Sequence, residues 1–240
     1  YTISHIVEKN KLHDKLTDDV FDFIFLGKGD AKSADAKAKI KPQILKDMRS
    51  EFEYFYPMDM RNSGKDLVQN HLTFFLFHHV ALFQEAKWPK AISVNGFVNV
   101  EGEKMSKSRG NIIPLKDLIK QHGADLVRIN IAGSSEGIDD ADWRSETISS
   151  YRNRLDLIFE TTQSLGKAKK TSVDNAELYL LSKLQRHIET ATKANEQLMF
   201  RSSVQASLFE ATNDLKWYLR RAGDIKKANK KILKEYVESI

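Results

Sequence analysis

Not one cysteine occurs among the 240 residues, so disulfides and thiolate-bound metals, zinc included, are excluded as supports for this chain. That lack fits a reducing compartment, and a cytoplasmic address is the expectation. No targeting peptide is expected in the opening YTISHIVEKN, which has neither a basic start followed by an apolar core nor a small-residue cleavage site. There is also no initiator methionine, which leads us to expect a piece of a longer or processed chain. No apolar run of membrane-span length is free of polar residues. The most apolar window, residues 67–86 (LVQNHLTFFLFHHVALFQEA), carries Gln69, Asn70, His71, His78, His79 and Gln84. A buried helix is expected there, with no membrane partner.

What is present supports a core, because 41% of the residues are apolar. The net charge of +5 is unevenly placed. Residues 1–144 hold 21 basic and 21 acidic side chains, whereas residues 145–240 hold 17 and 12, so the last third carries the whole excess. A polyanionic partner for that third and a solvated, lysine-rich helix face are both compatible with this asymmetry.

Along the chain, DVFDFIFLG (19–27) has helical spacing and stops at glycine. The polar stretch 28–42 has little to bury and reads as a surface excursion. A short helix over 44–53 runs into FEYFYP, whose aromatics carry strand character. MDMRNSGKD reads as a loop, with Asp66 available to cap the following helix. AISVNGFVNV supplies one or two strands, and NIIPLKDLIKQHG a helix bounded by Pro114 and Gly123. ADLVRINIAG is a helix or a strand; periodicity leaves both open. From about Trp143 three long segments repeat apolar residues every three or four positions, with breaks near 166–175 and Gly223, as an α-helical bundle does. Asp140 and Asp142 suit the start of its first helix, so the acidic cluster EGIDDAD needs no metal. The expected fold is therefore α/β plus all-α, with parallel strands in residues 1–143 and an incomplete bundle in 144–240.

Right after the strand FVNV comes EGEKMSKSRGN, residues 101–111. Two lysines three apart on a polar, glycine-flanked loop are suited to converge on a phosphate chain whose charge rises during reaction. In open α/β sheets ligands sit beyond the carboxyl ends of the strands, which is where this loop should lie.

KMSKS, Lys104–Ser108, is identical to the second signature of the class I aminoacyl-tRNA synthetases, and KMSKSRGN extends the match. Upstream, EFEYFYPMDMRNSGKDLVQNHLTFFLFHHV resembles the segment before that signature in the leucine enzymes of archaeal and eukaryotic type. The opening YTISH and GADLVRINIAG…DDADWR are similar too. The resemblance implies the second half of a Rossmann-type nucleotide-binding domain followed by an anticodon-binding-type bundle. It implies ATP with Mg2+ as cofactors, and leucine and tRNA(Leu) as partners. Lys104 and Lys107 would be catalytic, neutralising the β- and γ-phosphates, with Met105, Ser106 and Ser108 completing the ATP-binding loop. Gly64, Asp66 and His71 would form a second ATP contact: Gly64 by letting the nucleotide approach the backbone, Asp66 by accepting from ribose hydroxyls, His71 from farther along the helix. The cap role for Asp66 and a purely structural role for His71 stay open beside these. Lys216–Lys234, eight basic residues against one aspartate, would face tRNA phosphates.

The family's first signature, His-Ile-Gly-His or a close variant, is nowhere in these residues. The expectation is thus a fragment, inactive alone, whose partner is the missing N-terminal half, in the same chain or a separate subunit. Activation of methionine, valine or isoleucine, and a non-catalytic tRNA- or protein-binding module, are the alternatives.

Overall fold

In the computed structural model, residues 1–240 are described, apart from the side chains at 36 and 37. The chain divides into two compact units, Tyr1–Val94 and Asn95–Ile240.

The first unit holds α1 (Ser4–Lys9), α2 (Asp18–Phe21), α3 (Ala31–Ala38), α4 (Pro42–Phe55), β1 (Arg61–Gly64) and α5 (Thr73–Leu82). β2 (Ile92–Asn95) pairs with β1 in a two-stranded sheet. The apolar positions of α4 place Leu45, Met48 and Phe52 in a core with Val20, Ile24 and Ile40. Three departures from the sequence reading have clear causes. The polar stretch 28–42 is no mere excursion: Asp30 caps α3 by accepting from the N–H groups of Lys32 and Ser33 at 2.8 and 2.9 Å. Ala31, Ala34 and Ala38, spaced three and four apart, bury a small-residue face. FEYFYP is not a strand, because α4 runs to Phe55. Phe52 stacks on Tyr56 and Phe83 (4.6 and 5.7 Å) and meets Phe25 edge-on at 5.0 Å. That tertiary packing overrides β propensity. The window 67–86 is not a buried helix either. It opens as a π-helical turn over Val68–Leu72 before α5. Only Leu72 and His79 are buried, while Phe74 and Phe77 stay 63% and 67% exposed.

The second unit comprises β3 (Val98–Val100), β4 (Glu103–Lys104), α6 (Leu115–His122), α7 (Ala124–Ser134), β5 (Ala141–Trp143), α8 (Ile148–Ser164), α9 (Asn175–Glu196), α10 (Phe200–Val204), α11 (Ala211–Ala222) and α12 (Lys230–Ser239). The three-stranded sheet runs β4-β3-β5, with β3 antiparallel to β4 and parallel to β5 in the register Val98↔Ala141 to Val100↔Trp143. The segment ADLVRINIAG, left open by periodicity, is the helix α7. Leu126, Val127, Trp143, Ile148, Tyr151 and Leu208 form one core that joins this sheet to the bundle helices. A second core centred on Leu180, Leu184, Leu215 and Leu233 closes the bundle itself. Asp140 and Asp142 do not cap α8. Their carboxylates accept from the N–H groups of Phe97 and Gly102, both at 2.8 Å, and so pin the strand β3 and the turn that follows it. Among the described residues no helix is long and apolar enough to cross a membrane.

Candidate active site

The lysine loop is presented by a tight hairpin. Between β3 and β4 the chain reverses through Glu101 and Gly102 alone, both at positive φ, 51° and 82°. A two-residue reversal of this hand matches the strand twist and demands left-handed backbone at both positions. Gly102 adopts it without steric cost. Glu101 is held there by two hydrogen bonds: its N–H donates to the Trp143 carbonyl at 3.0 Å, and its carboxylate accepts from the Ser145 N–H at 2.9 Å. Beneath the turn, Asp142 also accepts from Arg144 Nε at 2.6 Å. Partial burial works to raise the Asp142 carboxyl, but the Gly102 N–H and the guanidinium outweigh it and hold the pKa below the ordinary aspartate value.

At the end of β4 the Lys104 ammonium lies 4.5 Å from the centroid of the Phe97 ring, a cation–π seat. Residue 105 turns to the other side. Met105 lines an apolar cavity of about 200 Å³ with Val100, Ile113, Leu118 and Trp143. Two turn bonds shape the loop, from the Arg109 N–H to the Ser106 carbonyl (3.2 Å) and from the Gly110 N–H to the Lys107 carbonyl (3.3 Å). The hydroxyls of Ser106 and Ser108 are 2.8 Å apart. Asn111 touches the loop twice, accepting from the Ser106 N–H at 2.8 Å and donating to the Lys104 carbonyl at 3.1 Å. Lys107 is exposed. The loop thus has an apolar anchor at Met105, between two lysines that are both exposed.

The other candidate residues belong to the first unit and share one short segment. A Cβ at Gly64 would lie 2.6 Å from Asp66 Oδ1, so the carboxylate can fold back over residue 64 only because no side chain is there. Asp66 is not a helix cap. It sits inside the 3-10 turn Lys65–Leu67, whose N-cap is Gly64 and has no side-chain cap bond. His71 lies in the π-helical turn, a wide turn often found at functional positions. Its Nε2 is 2.8 Å from the Arg61 guanidinium. A guanidinium only donates, so Nε2 is the acceptor and the ring proton sits on Nδ1. Arg61 also lies over the Phe75 ring, 5.0 Å from its centroid.

The model of the tRNA synthetases of class I (I, L, M and V) matches residues 3–144 of this chain. The chain belongs to that family. The class I match includes Gly64, Asp66, His71 and all of Lys104–Ser108, and ends just ahead of α8. Similar proteins include the leucine--tRNA ligases of Methanosarcina mazei (43% identical over 230 residues, 93% of this chain) and Pyrococcus abyssi (43% over 234, 92%). The leucine--tRNA ligase of Archaeoglobus fulgidus is 40% identical over 211 residues, 88% of this chain. The chain spans about a quarter of the length of these curated relatives, 24%, 24% and 23% respectively. Among solved structures, methionyl-tRNA synthetase of Mycobacterium tuberculosis in complex with methionyl-adenylate superposes with a TM-score of 0.66 at 19% identity, covering 79% of this chain and 42% of that one. The ternary complex of Agrobacterium radiobacter K84 LeuRS, tRNA and LeuAMS gives 0.62 at 19%, covering 78% and 25%. Both likenesses bear on fold. The class I fold is thus present, with much helix and small mixed sheets.

Sequence reasoning passed over three residues of these sites: Arg61, Phe97 and Asn111. Asn111 alone had a local signal, an amide directly after Gly110, whose positive φ of 69° reverses the chain. The partners of Arg61 and Phe97 are set by tertiary packing. The basic cluster, finally, splits between two recesses. Lys216 and Arg220 line a groove of about 440 Å³ with Asn213 and Leu157. Arg221 and Lys227 border one of about 420 Å³ that also contains Asp174 and Glu177.

Proposed function

We propose that this chain supplies the pyrophosphate-stabilising part of a leucine-activating synthetase. Residues 1–143 are the second half of its Rossmann-type catalytic domain, and residues 144–240 the start of its tRNA-facing bundle. In the reaction the leucine carboxylate attacks the α-phosphorus of ATP, pyrophosphate leaves, and the leucyl group then passes to tRNA(Leu). Lys104 and Lys107 neutralise the β- and γ-phosphates as charge builds on the departing group, a step in which positioning and electrostatics do nearly all the work. Met105, Ser106 and Ser108 carry the same loop around the phosphates. The Phe97 seat holds Lys104 by only about 0.5–1 kcal/mol at an exposed site, so a phosphate can draw the ammonium away. Gly64 opens the backbone to the adenosine, Asp66 accepts from ribose hydroxyls, and His71, oriented by Arg61, lines the same pocket.

Mg2+ enters on the triphosphate. The Lys216 and Arg220 groove, free of carboxylates in its lining, suits RNA phosphates better than the recess holding Glu177. The remainder of the catalytic domain, in the same polypeptide or another and in a cytoplasmic setting, supplies the first signature.

The observation that carries this reading is the hairpin-mounted loop, with Met105 anchored and both lysines exposed. ATP–pyrophosphate exchange tests it. Leucine-dependent exchange is expected from the complete enzyme and none from this chain alone. Exchange driven instead by methionine, valine or isoleucine would move the specificity, and no exchange with any amino acid would leave a non-catalytic binding module.

A further inference from the structure

Two lysines on a loop can neutralise a leaving group only if the loop holds them where the charge appears, since a donor that must reorganise loses its advantage. The question is what fixes residues 105–108. Met105 provides an apolar anchor, and the two turn bonds lie within the loop itself. Asn111 is different in kind. Its single planar amide accepts from the Ser106 N–H at 2.8 Å and donates to the Lys104 carbonyl at 3.1 Å. These two backbone groups flank Met105, one on each side. The side chain therefore does for Met105 what a residue on a partner strand does in a parallel ladder: it donates to the carbonyl before that residue and accepts from the N–H after it. The amide thus pins the backbone on both sides of Met105, whose side chain lines the cavity, while Lys104 and Lys107 are both exposed. The positive φ of Gly110, 69°, turns the chain so that the amide reaches back. Asn111 is half-buried, where a lost hydrogen bond is not fully replaced by water.

We infer that Asn111 is a positioning residue for adenylate formation, acting through the lysine loop without touching the substrate. The inference rests on the function proposed above for Lys104 and Lys107. Asparagine is the residue this geometry needs. An aspartate at 111 could accept from Ser106 but not donate to Lys104, and an alanine could do neither.

The test has two arms. In the 240-residue chain, amide hydrogen exchange is followed residue by residue. The Ser106 amide should exchange on the order of tenfold faster in Asn111→Ala, while the amides of β3 and α7 stay unchanged; Asn111→Asp should keep most of the Ser106 protection. An unchanged Ser106 rate in Asn111→Ala overturns the clamp. In the complete synthetase, Asn111→Ala should lower kcat for ATP–pyrophosphate exchange on the order of tenfold or more with KM for ATP nearly constant, and Asn111→Asp should fall between it and the parent. Adding Asn111→Ala to a variant that already lacks both ammonium groups, Lys104→Ala with Lys107→Ala, should slow the enzyme no further, because the amide works through those lysines. Fully additive losses, or a rise in KM with kcat unchanged, overturn the positioning role. A parent enzyme that makes no adenylate defeats the functional reading, and the exchange arm still decides the clamp.

Discussion

Lys107 is the residue that gives the proposed function its sharpest test. It carries no structural duty that would blur the result of removing it: it is exposed, and the only backbone bond it makes in the loop uses its carbonyl. Lys107→Ala in the complete enzyme should cost about 3 kcal/mol of transition-state stabilisation, close to a hundredfold in the rate of adenylate formation, with ATP binding little changed. Pre-steady-state quench measurements separate the two. Gly96 gives the opposite kind of prediction, structural and remote from the phosphates. A Cβ there would lie 2.2 Å from the Asp139 carbonyl oxygen and 2.5 Å from its carbon. Backbone cannot step aside as a side-chain tip can, so Gly96→Ala should destabilise the second unit by about 1–3 kcal/mol. The neighbouring bond from the Phe97 N–H to Asp140 should fail with it. Urea midpoints compared with those of a surface glycine variant such as Gly166→Ala, where a Cβ would meet open space, check this.

Among the elements, the junction of α9, α11 and the approach to α12 is held by polar groups in an apolar setting. Glu177, 1% exposed, receives the Lys170 ammonium at 2.8 and 2.9 Å and the Tyr218 hydroxyl at 2.6 Å. The same hydroxyl accepts from the Asn229 N–H at 2.9 Å. Tyr218→Phe would leave that buried N–H without its acceptor and Glu177 Oε1 with Lys170 as its remaining donor, for a loss of about 1–3 kcal/mol. Burial pushes the Tyr218 phenol up to about 12, against an ordinary value near 10. A folded-state pKa above the unfolded one means the folded form holds its proton more tightly. The corresponding stability is complete below pH 10 and disappears as pH rises through about 12. Burial raises the Tyr236 phenol in the same direction. Circular dichroism along an alkaline titration should show the bundle unfolding in that window, with a flatter alkaline limb in Tyr218→Phe. At the other end of the scale, hydrogen bonding with Glu177, Lys170 and the Ala176 N–H holds the Asp174 carboxyl well below the usual aspartate range.

At the scale of the whole molecule, charge and apolar surface point to partners beyond this chain. Most of the excess of basic residues lies in the second unit, and its carboxylate-free groove carries Lys216 and Arg220. Binding of tRNA through a few such phosphate contacts should weaken on the order of tenfold between about 50 and 200 mM salt. Filter-binding or anisotropy across that range reads the slope, and affinity flat with salt would remove the groove from the interface. The first unit instead leaves Phe74, Phe77 and Val80 of α5 exposed at 63%, 67% and 52%. That face of α5 lies open among the described residues.

Much of this molecule is written locally. The strand-then-lysine-loop order, the helix 115–122 between proline and glycine, and the bundle with its breaks near 166–175 and 223 follow from periodicity and turn chemistry. KMSKS and Gly64-x-Asp66 are legible because they are contiguous: their residues act as neighbours in the chain. What local pattern left open or read wrongly depended on partners distant in sequence. The aromatics of FEYFYP became helix because Phe25 and Phe83 surround Phe52. Asp140 and Asp142 became staples for β3 because the parallel register with β5 brings them there. The chain's own letters thus determined which groups the proposed function assigns to a nucleotide. Packing alone decided that an asparagine seven residues after Lys104 would hold the loop offering them, since a hydrogen bond between separated residues exists only once the intervening chain has turned.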